Sequence, residues 1–264
     1  MFAEAVECSS RKKLSKWHCI ATNEAMTPRR YITDIATAKS MRLIARAVAA
    51  GRLQTVSSGT EHIPTTGPAL IVARHYHHLF DGLALFAAIP RRFHIIVTLD
   101  WVQNVGMRLL MKQLTGLARW PVVLRADALM RVDDTGASQF RHAFSVAEVE
   151  HYQHKAFRES VRLLEDNRLL VVFPEGYPNI DPTYTPKSGH DCFLPFKRGF
   201  VAIARASERR LRTSLPIIPT GLRYTVEKRW LADVRFSQPV RRESFASSND
   251  LIRYCENKVK QLSS

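Results

Sequence analysis

The sequence predicts an α/β fold, a single domain with a mostly parallel central sheet flanked by helices. Three observations predict it. Short unbroken apolar runs, such as Ala69-Leu-Ile-Val-Ala73 and Leu169-Leu-Val-Val-Phe173, read as strands buried on both faces, the mark of parallel sheet. These runs alternate with stretches of helical period. Two of them stop abruptly in polar residues, as expected where ligands gather beyond the carboxyl ends of parallel strands.

Residues 1–32 show no clear period. They mix serines, charges and single apolar residues, including Arg11-Lys12-Lys13 and Lys16-Trp17. Two readings stand: a poorly ordered basic arm, or a Trp-bearing contact with a membrane surface. Residues 33–264 contain no convincing linker, internal repeat or low-complexity tract, so one domain is expected there. Asp34 can cap a helix running to about Ala50, with Gly51 as its stop. Ile35, Ala38, Met41, Leu43, Ile44 and Val48 are spaced for one face, read as core-packed in preference to membrane-lying.

The remaining elements follow from apolar period and breakers. Leu53–Val56 reads as a strand, Thr60–Gly67 as a loop and Ala69–Ala73 as a buried strand. Leu79–Ile89 reads as a helix stopped by Pro90, Phe93–Leu99 as a strand and Val105–Leu114 as a helix before Gly116. Trp120–Leu124 is a short strand, Val146–Leu164 a long amphipathic helix and Leu169–Phe173 a buried strand. A helix begins at Phe200–Ala206, strands are expected at Leu215–Leu222 and Leu231–Phe236, and Ser248 or Asn249 caps a terminal helix over Asp250–Leu262.

Bulk composition narrows the function classes. A chain of 264 residues buries a substantial core. With 39 Lys+Arg against 24 Asp+Glu, its charge of +15 favours anionic partners: nucleic acid, anionic lipid or a phosphorylated small molecule. Cys8, Cys19, Cys192 and Cys255 are scattered without metal-ligand spacing, which fits a reducing compartment. Residues 1–30 lack the apolar segment of a secretory signal, and no apolar run reaches membrane-spanning length. A membrane, if involved, is expected to be met at its surface.

The most informative stretch is Ile71-Val-Ala-Arg-His-Tyr-His-His-Leu-Phe-Asp-Gly82, with three histidines in four residues and an aspartate after them. Histidine takes a proton near neutral pH, and a nearby carboxylate fixes its tautomer. His77 and Asp81 are four apart and would face one another on a regular helix. His75 and Asp81, six apart, meet only if the chain turns before a helix starts. Spacing alone leaves both open and slightly favours His77. A second polar strand end, Phe173-Pro-Glu-Gly176, carries Glu175, which a turn would leave as a solvated charge. Downstream, Lys197 and Arg198 precede Gly199 and a helix start, where backbone N–H groups and cations can meet an anion.

Taken in order, these pieces resemble the glycerolipid acyltransferase family that includes the 1-acylglycerol-3-phosphate acyltransferases. The first block is His75 and Asp81 with five residues between them, followed by Gly82, as in one subgroup of that family. The lead-in Gly59-Thr-Glu-His-Ile-Pro64 and Thr66-Gly-Pro-Ala-Leu-Ile-Val72 is also similar. The second block resembles Trp120-Pro-Val-Val-Leu-Arg125, the third Phe173-Pro-Glu-Gly176, and the last Phe196-Lys-Arg-Gly199 with Pro216-Ile-Ile-Pro219. The likeness runs from about residue 53 to 240 and turns the choice of base from His77 to His75. Two departures stand out. Arg74 replaces the usual asparagine, and Tyr177-Pro178-Asn179 replace the usual threonine, arginine and serine, the arginine being tied to the acceptor's phosphate. Arg125, Lys197 and Arg198 are the cations available to replace it.

The resemblance implies a glycerol-3-phosphate acyltransferase-like fold and transfer of a fatty acyl group from acyl-CoA or acyl carrier protein to a hydroxyl of a lysophospholipid or glycerol-phosphate-like acceptor. It implies His75 and Asp81 as the catalytic pair, with Arg125, Glu175, Gly176, Lys197 and Arg198 binding substrate. No metal or resident cofactor is required. The expected location is cytoplasmic, peripheral on the inner face of an anionic membrane, without a transmembrane helix. Two rivals are weighed. His75-Tyr-His77 is similar to the first half of a metallo-β-lactamase-like zinc site, but Leu79 and Phe80 stand where an aspartate and a histidine would follow. The basic balance suits a nucleic-acid-binding protein, but no zinc finger, RNP-like or helix-turn-helix signature is present, so no nucleic acid is expected.

Overall fold

The computed structural model describes residues 50–99, 102, 105–125, 145–182 and 184–264, with Ser40, Leu43 and Ala47 as isolated positions. The chain divides into two units, residues 1–36 and 37–264, and the second is the subject of this description. The arm expected over 1–32 lies outside the described residues. So does most of the helix expected over Asp34–Ala50, of which Ser40, Leu43 and Ala47 are helical. Leu43, assigned to its packing face, is instead 71% exposed.

The elements run β1 (Leu53–Ser58), β2 (Ala69–Ala73), α1 (Phe80–Ala88), β3 (Phe93–Ile95), β4 (Val97–Thr98), α2 (Val105–Leu117), β5 (Val122–Val123), α3 (Val146–Glu165), β6 (Leu169–Val172), α4 (Gly199–Leu211), β7 (Ile217–Val226), β8 (Trp230–Phe236) and α5 (Ser248–Leu262). Six strands form one sheet in the order β1-β8-β7-β2-β6-β3, and β4 and β5 form a small second sheet. Every neighbouring pair is parallel except the β7–β8 hairpin. The mostly parallel α/β expectation holds.

The apolar runs of β2 and β6 are buried on both faces because helices cover both. Ala69, Ile71 and Ala73 of β2 join Leu169 and Val171 of β6 in a core with Ala84 and Leu85 of α1. Leu70, Val72, Leu170 and Val172 point the other way, against Leu164 of α3, Phe200 and Ile203 of α4 and Leu251 and Cys255 of α5. Alternate residues of one strand thus feed two cores. Gly221 on β7 is where α5 comes closest: a Cβ there would lie 2.5 Å from Leu262.

Several boundaries differ from expectation. The strand expected over Phe93–Leu99 breaks at Ile96. The Ile96 N–H still bonds Val171 O (3.1 Å), whereas the Val97 N–H bonds Pro121 O (3.0 Å), so the chain changes partners there. β7 outruns its expected end at Leu222, because its outer half is paired with β8 but largely exposed and carries no apolar signal. The α5 cap is Ser247, whose hydroxyl accepts the Asp250 N–H (3.2 Å), not Ser248 or Asn249. Among the described residues, no helix is long and apolar enough to cross a membrane.

Candidate active site

The carboxyl end of β2 runs into a tight loop, Arg74–Leu79, before α1 begins. Asp81, in the first turn of α1, is buried and gathers this loop around its carboxylate. Oδ2 accepts the Tyr76 N–H (2.7 Å) and lies 2.8 Å from His75 Nδ1. Oδ1 accepts the His77 N–H (3.0 Å) and the Tyr224 hydroxyl (2.7 Å). The helix start favours the negative charge. His75 and Asp81, too far apart for one face of a helix, meet because the chain turns between them. Since the carboxylate only accepts, His75 Nδ1 carries the proton and Nε2 keeps its lone pair. The imidazole stacks on Phe173 (ring centroids 4.5 Å apart, 21° between planes), and its side chain is 18% exposed.

His77, the residue favoured by spacing, does touch Asp81, but through its main chain. Its ring Nδ1 accepts the N–H groups of Leu79 (3.2 Å) and Phe80 (3.3 Å), two otherwise unpaired donors at the start of α1. The ring is packed between His78 and Phe80, with Trp230 at its edge. Burial, with His78 adding to the effect, pushes the His77 imidazole down to about 4 from its ordinary 6.5. His77 is a neutral helix cap, and the lone pair on Nδ1 is engaged.

The second strand end meets the first directly. Gly176, following Glu175, adopts φ 79, a left-handed conformation that favours glycine. It closes the turn through its N–H to Phe173 O (3.0 Å). The Glu175 carboxylate is fully buried. Oε1 accepts the His75 N–H (2.9 Å), and Oε2 accepts the Leu194 N–H (3.0 Å) and the Lys187 ammonium (2.7 Å). Lys187 also donates to His75 O (2.7 Å) and Asn179 Oδ1 (3.0 Å), so its three N–H bonds have three acceptors. Burial lowers the Lys187 pKa, and the charge of Glu175 works against that fall. The peptide groups on both sides of His75 are therefore held by one buried ion pair. Glu175, expected at the substrate, spends both oxygens on protein donors.

The comparisons with known proteins fall into place on this geometry. A family model described as Acyltransferase matches residues 54–223, more than half of the chain, from within β1 into β7, a span that carries His75, Asp81, Arg125 and Glu175. The chain belongs to the acyltransferase family. Its fold is also that of the 1-acyl-sn-glycerophosphate (LPA) acyltransferase PlsC from Thermotoga maritima, with a TM-score of 0.56 and 16% identity over 90% of this chain and 82% of that one. No curated protein matches this acyltransferase.

The other cations singled out from the sequence divide between two places. Arg125, just after β5, is buried with its guanidinium 4.2 Å from the Tyr177 ring and 3.7 Å from Asp181. Lys197 lies against the same ring (5.5 Å) and beside Gly176, where a Cβ would come within 3.1 Å of its Nζ. Arg198 stands apart from them, lining a groove with Arg205 and Arg209 of α4, Phe157 of α3 and Ser248 of α5. Arg74, in place of the family's asparagine, is buried and donates to the carbonyls of His190 (2.6 Å), Leu222 (3.4 Å) and Ser263 (3.4 Å). Sequence reasoning missed Lys187 and Tyr224. Lys187 sits in a Pro- and Thr-rich loop with no spacing signal, and Tyr224 lies on the outer half of β7. Among the described residues, no three His, Cys, Asp or Glu side chains are placed to hold a metal ion.

Proposed function

We propose that this acyltransferase moves a fatty acyl group from a thioester, acyl-CoA or acyl carrier protein, to a hydroxyl of a lysophospholipid or glycerol-phosphate-like acceptor, with His75 as general base. The observation that carries this reading is the 2.8 Å contact between His75 Nδ1 and Asp81, which leaves Nε2 as the acceptor. An alcohol is a weak nucleophile until its proton is taken. Nε2 removes the hydroxyl proton as the oxygen attacks the thioester carbonyl. The tetrahedral intermediate then collapses, the C–S bond breaks, and the imidazolium returns the proton to the departing thiolate. A thiol with a pKa near roughly 8.5 leaves with little acid help. Asp81 holds the ring in one tautomer and balances its transient charge.

An anionic donor and acceptor suit a chain of charge +15. Where the family carries the phosphate-linked arginine, Pro178 stands here, and Arg125 and Lys197 both lie against the ring of the preceding Tyr177. These two are the better candidates for an acceptor phosphate, since Arg198 lines a different groove. Product mass spectrometry after incubation with acyl-CoA or acyl carrier protein and a panel of lysolipids and alcohols tests the reading. The expected result is a new ester formed by wild type and absent with His75→Ala. Full activity in a folded His75→Ala variant, with loss in His77→Ala, would overturn the choice of base.

A further inference from the structure

Arg198, expected at the substrate, lines a groove that the proposed reaction leaves unused. The groove is walled by α4, by Phe157 of α3 and by Ser248, Asn249 and Ile252 of α5. Arg198 stands at the N-cap of α4, and Arg205 and Arg209 follow seven and eleven residues later. At 3.6 residues per turn the three share one narrow stripe, spaced about 10 Å and 6 Å apart along the helix axis. All three are exposed, and among the described residues none has a hydrogen-bond or ion-pair partner. Neighbouring arginines differ: Arg210 holds Glu165, Arg242 holds Glu208 and Arg253 holds Asp250. No acidic residue lines the groove. Its floor is apolar, with Val201, Ala202 and Ile252 beside Phe157, which is 38% exposed.

We propose that this groove is the docking site for an acidic amphipathic helix of a partner protein. Charge complementarity carries the choice. Guanidiniums present planar donor forks that match carboxylates. Carboxylates at i, i+4 and i+11 of an antiparallel helix share one face and repeat the spacing of the three arginines. The apolar floor takes that helix's adjoining apolar ridge, the helix-in-groove mode of recognition. Arginine and aromatic residues are enriched at protein interfaces and lysine is depleted, and this groove has three arginines, one phenylalanine and no lysine. The start of α5 adds partial positive charge, and Asp250 of that turn is already engaged by Ser247 and Arg253. The groove also reaches toward the active site. Lys197, the residue before Arg198, donates its N–H to Pro174 O (2.9 Å), next to Glu175. A docked helix therefore lies along the element whose start is fastened to the turn that holds His75. The inference does not depend on the reaction proposed above.

The probe is a labelled, helix-stabilised peptide with glutamates at i, i+4 and i+11, leucines on the adjoining face and no other charge. It is titrated with the full chain by fluorescence anisotropy. Wild type is expected to bind it with an affinity that falls as salt rises. Arg205→Ala/Arg209→Ala is expected to bind at least about tenfold more weakly, with a smaller salt dependence. Phe157→Ala is expected to bind about fivefold more weakly, with the salt dependence unchanged. Lys228→Ala/Arg229→Ala removes the same charge from the turn between β7 and β8 and is expected to bind as wild type does. Acyl transfer from acyl-CoA to a short-chain acceptor is expected to be unchanged in the double arginine variant. Equal binding of a scrambled peptide of the same composition, or an equal loss in the Lys228/Arg229 variant, would overturn the proposal, because net charge alone would then explain the binding. Tighter binding of an oligonucleotide of equal charge, lost in the double arginine variant, would overturn it in favour of a nucleic acid. A lowered kcat/KM for acyl-CoA in that variant would overturn it by placing the groove in the donor site.

Discussion

Lys187→Met is the most exacting perturbation of this architecture. The substitution preserves length and apolar stem but removes the ammonium that bonds Glu175, His75 O and Asn179. Glu175 keeps the N–H groups of His75 and Leu194, yet its carboxylate stays in a site with no solvent exposure and no cation. Breaking a buried pair from one side costs about 3–5 kcal/mol, because a charge is stranded. For a chain of this size each kcal/mol shifts the midpoint by about 2–4 °C, so a fall on the order of 10 °C is expected. Lys187→Met/Glu175→Gln strands no charge and should recover at least about 2 kcal/mol of that loss, because replacing both partners is far cheaper than removing one.

Activity should not recover in parallel. With Lys187 gone, the His75 carbonyl loses its donor whether or not residue 175 is charged, and the imidazole is held only by Asp81 and Phe173. Initial rates taken well below both midpoints should show kcat reduced about tenfold in the single and the double variant, with KM little changed, as expected when a reacting group is misplaced. Thermal denaturation by circular dichroism supplies the stability cycle. A cost below about 1 kcal/mol for Lys187→Met, or a double variant no more stable than the single one, would refute the reasoning.

His75→Ala and Asp81→Asn should each lower kcat by roughly 10²–10⁴-fold in protein that stays folded, measured as ester formation, whereas His78→Ala is milder. Tyr224→Phe removes one of four donors to Asp81 and should lower kcat about tenfold with little change in KM. The His77 imidazole, held neutral at about 4, binds no proton between that value and 6.5 while the unfolded chain does, so its contribution to stability is present above pH 6.5 and lost as pH falls toward 4. The loss amounts to about 3 kcal/mol from this group. His77→Asn keeps a cap acceptor and should flatten that part of the urea-denaturation profile, and an unchanged acid slope would rule out His77 as its source.

The parts of this molecule legible from sequence are those where burial imposes a pattern. β2 and β6 had to be apolar on successive residues because both faces are covered, and that run announced the strands and the polar residues at their ends. The outer half of β7 is held by main-chain pairing with half its surface in water, so its side chains carried no such constraint, and Tyr224 went unread. Periodicity also pointed to His77, not His75, as the ring paired with Asp81. Helical spacing places side chains four apart together, but residues 75–79 are not yet helix, and Asp81 meets His77 through the main chain. Lys187 was beyond reach for another reason. Its partners lie 8, 12 and 112 residues away in sequence, and long loops converge by tertiary packing that leaves no local trace.

The arrangement around Asp81 bears on how the proposed base would cycle. A carboxylate offers about four lone-pair positions. Here the imidazole, two peptide N–H groups and the Tyr224 hydroxyl occupy them, two to each oxygen. Burial and the charge of Asp81 both raise the Tyr224 pKa well above its ordinary value, so this hydroxyl remains a donor at every working pH. The other three donors also bond the carboxylate form of Asp81, so the His75 proton stays on Nδ1 in the hydrogen bond that already carries it. The proton taken from the acceptor hydroxyl can then reside only on Nε2, from which the leaving thiolate must recover it. Glu175 and Lys187 serve the same end from the main-chain side by fixing the peptide groups on both sides of His75. On the proposed reading, the two buried carboxylates act by holding one imidazole in place.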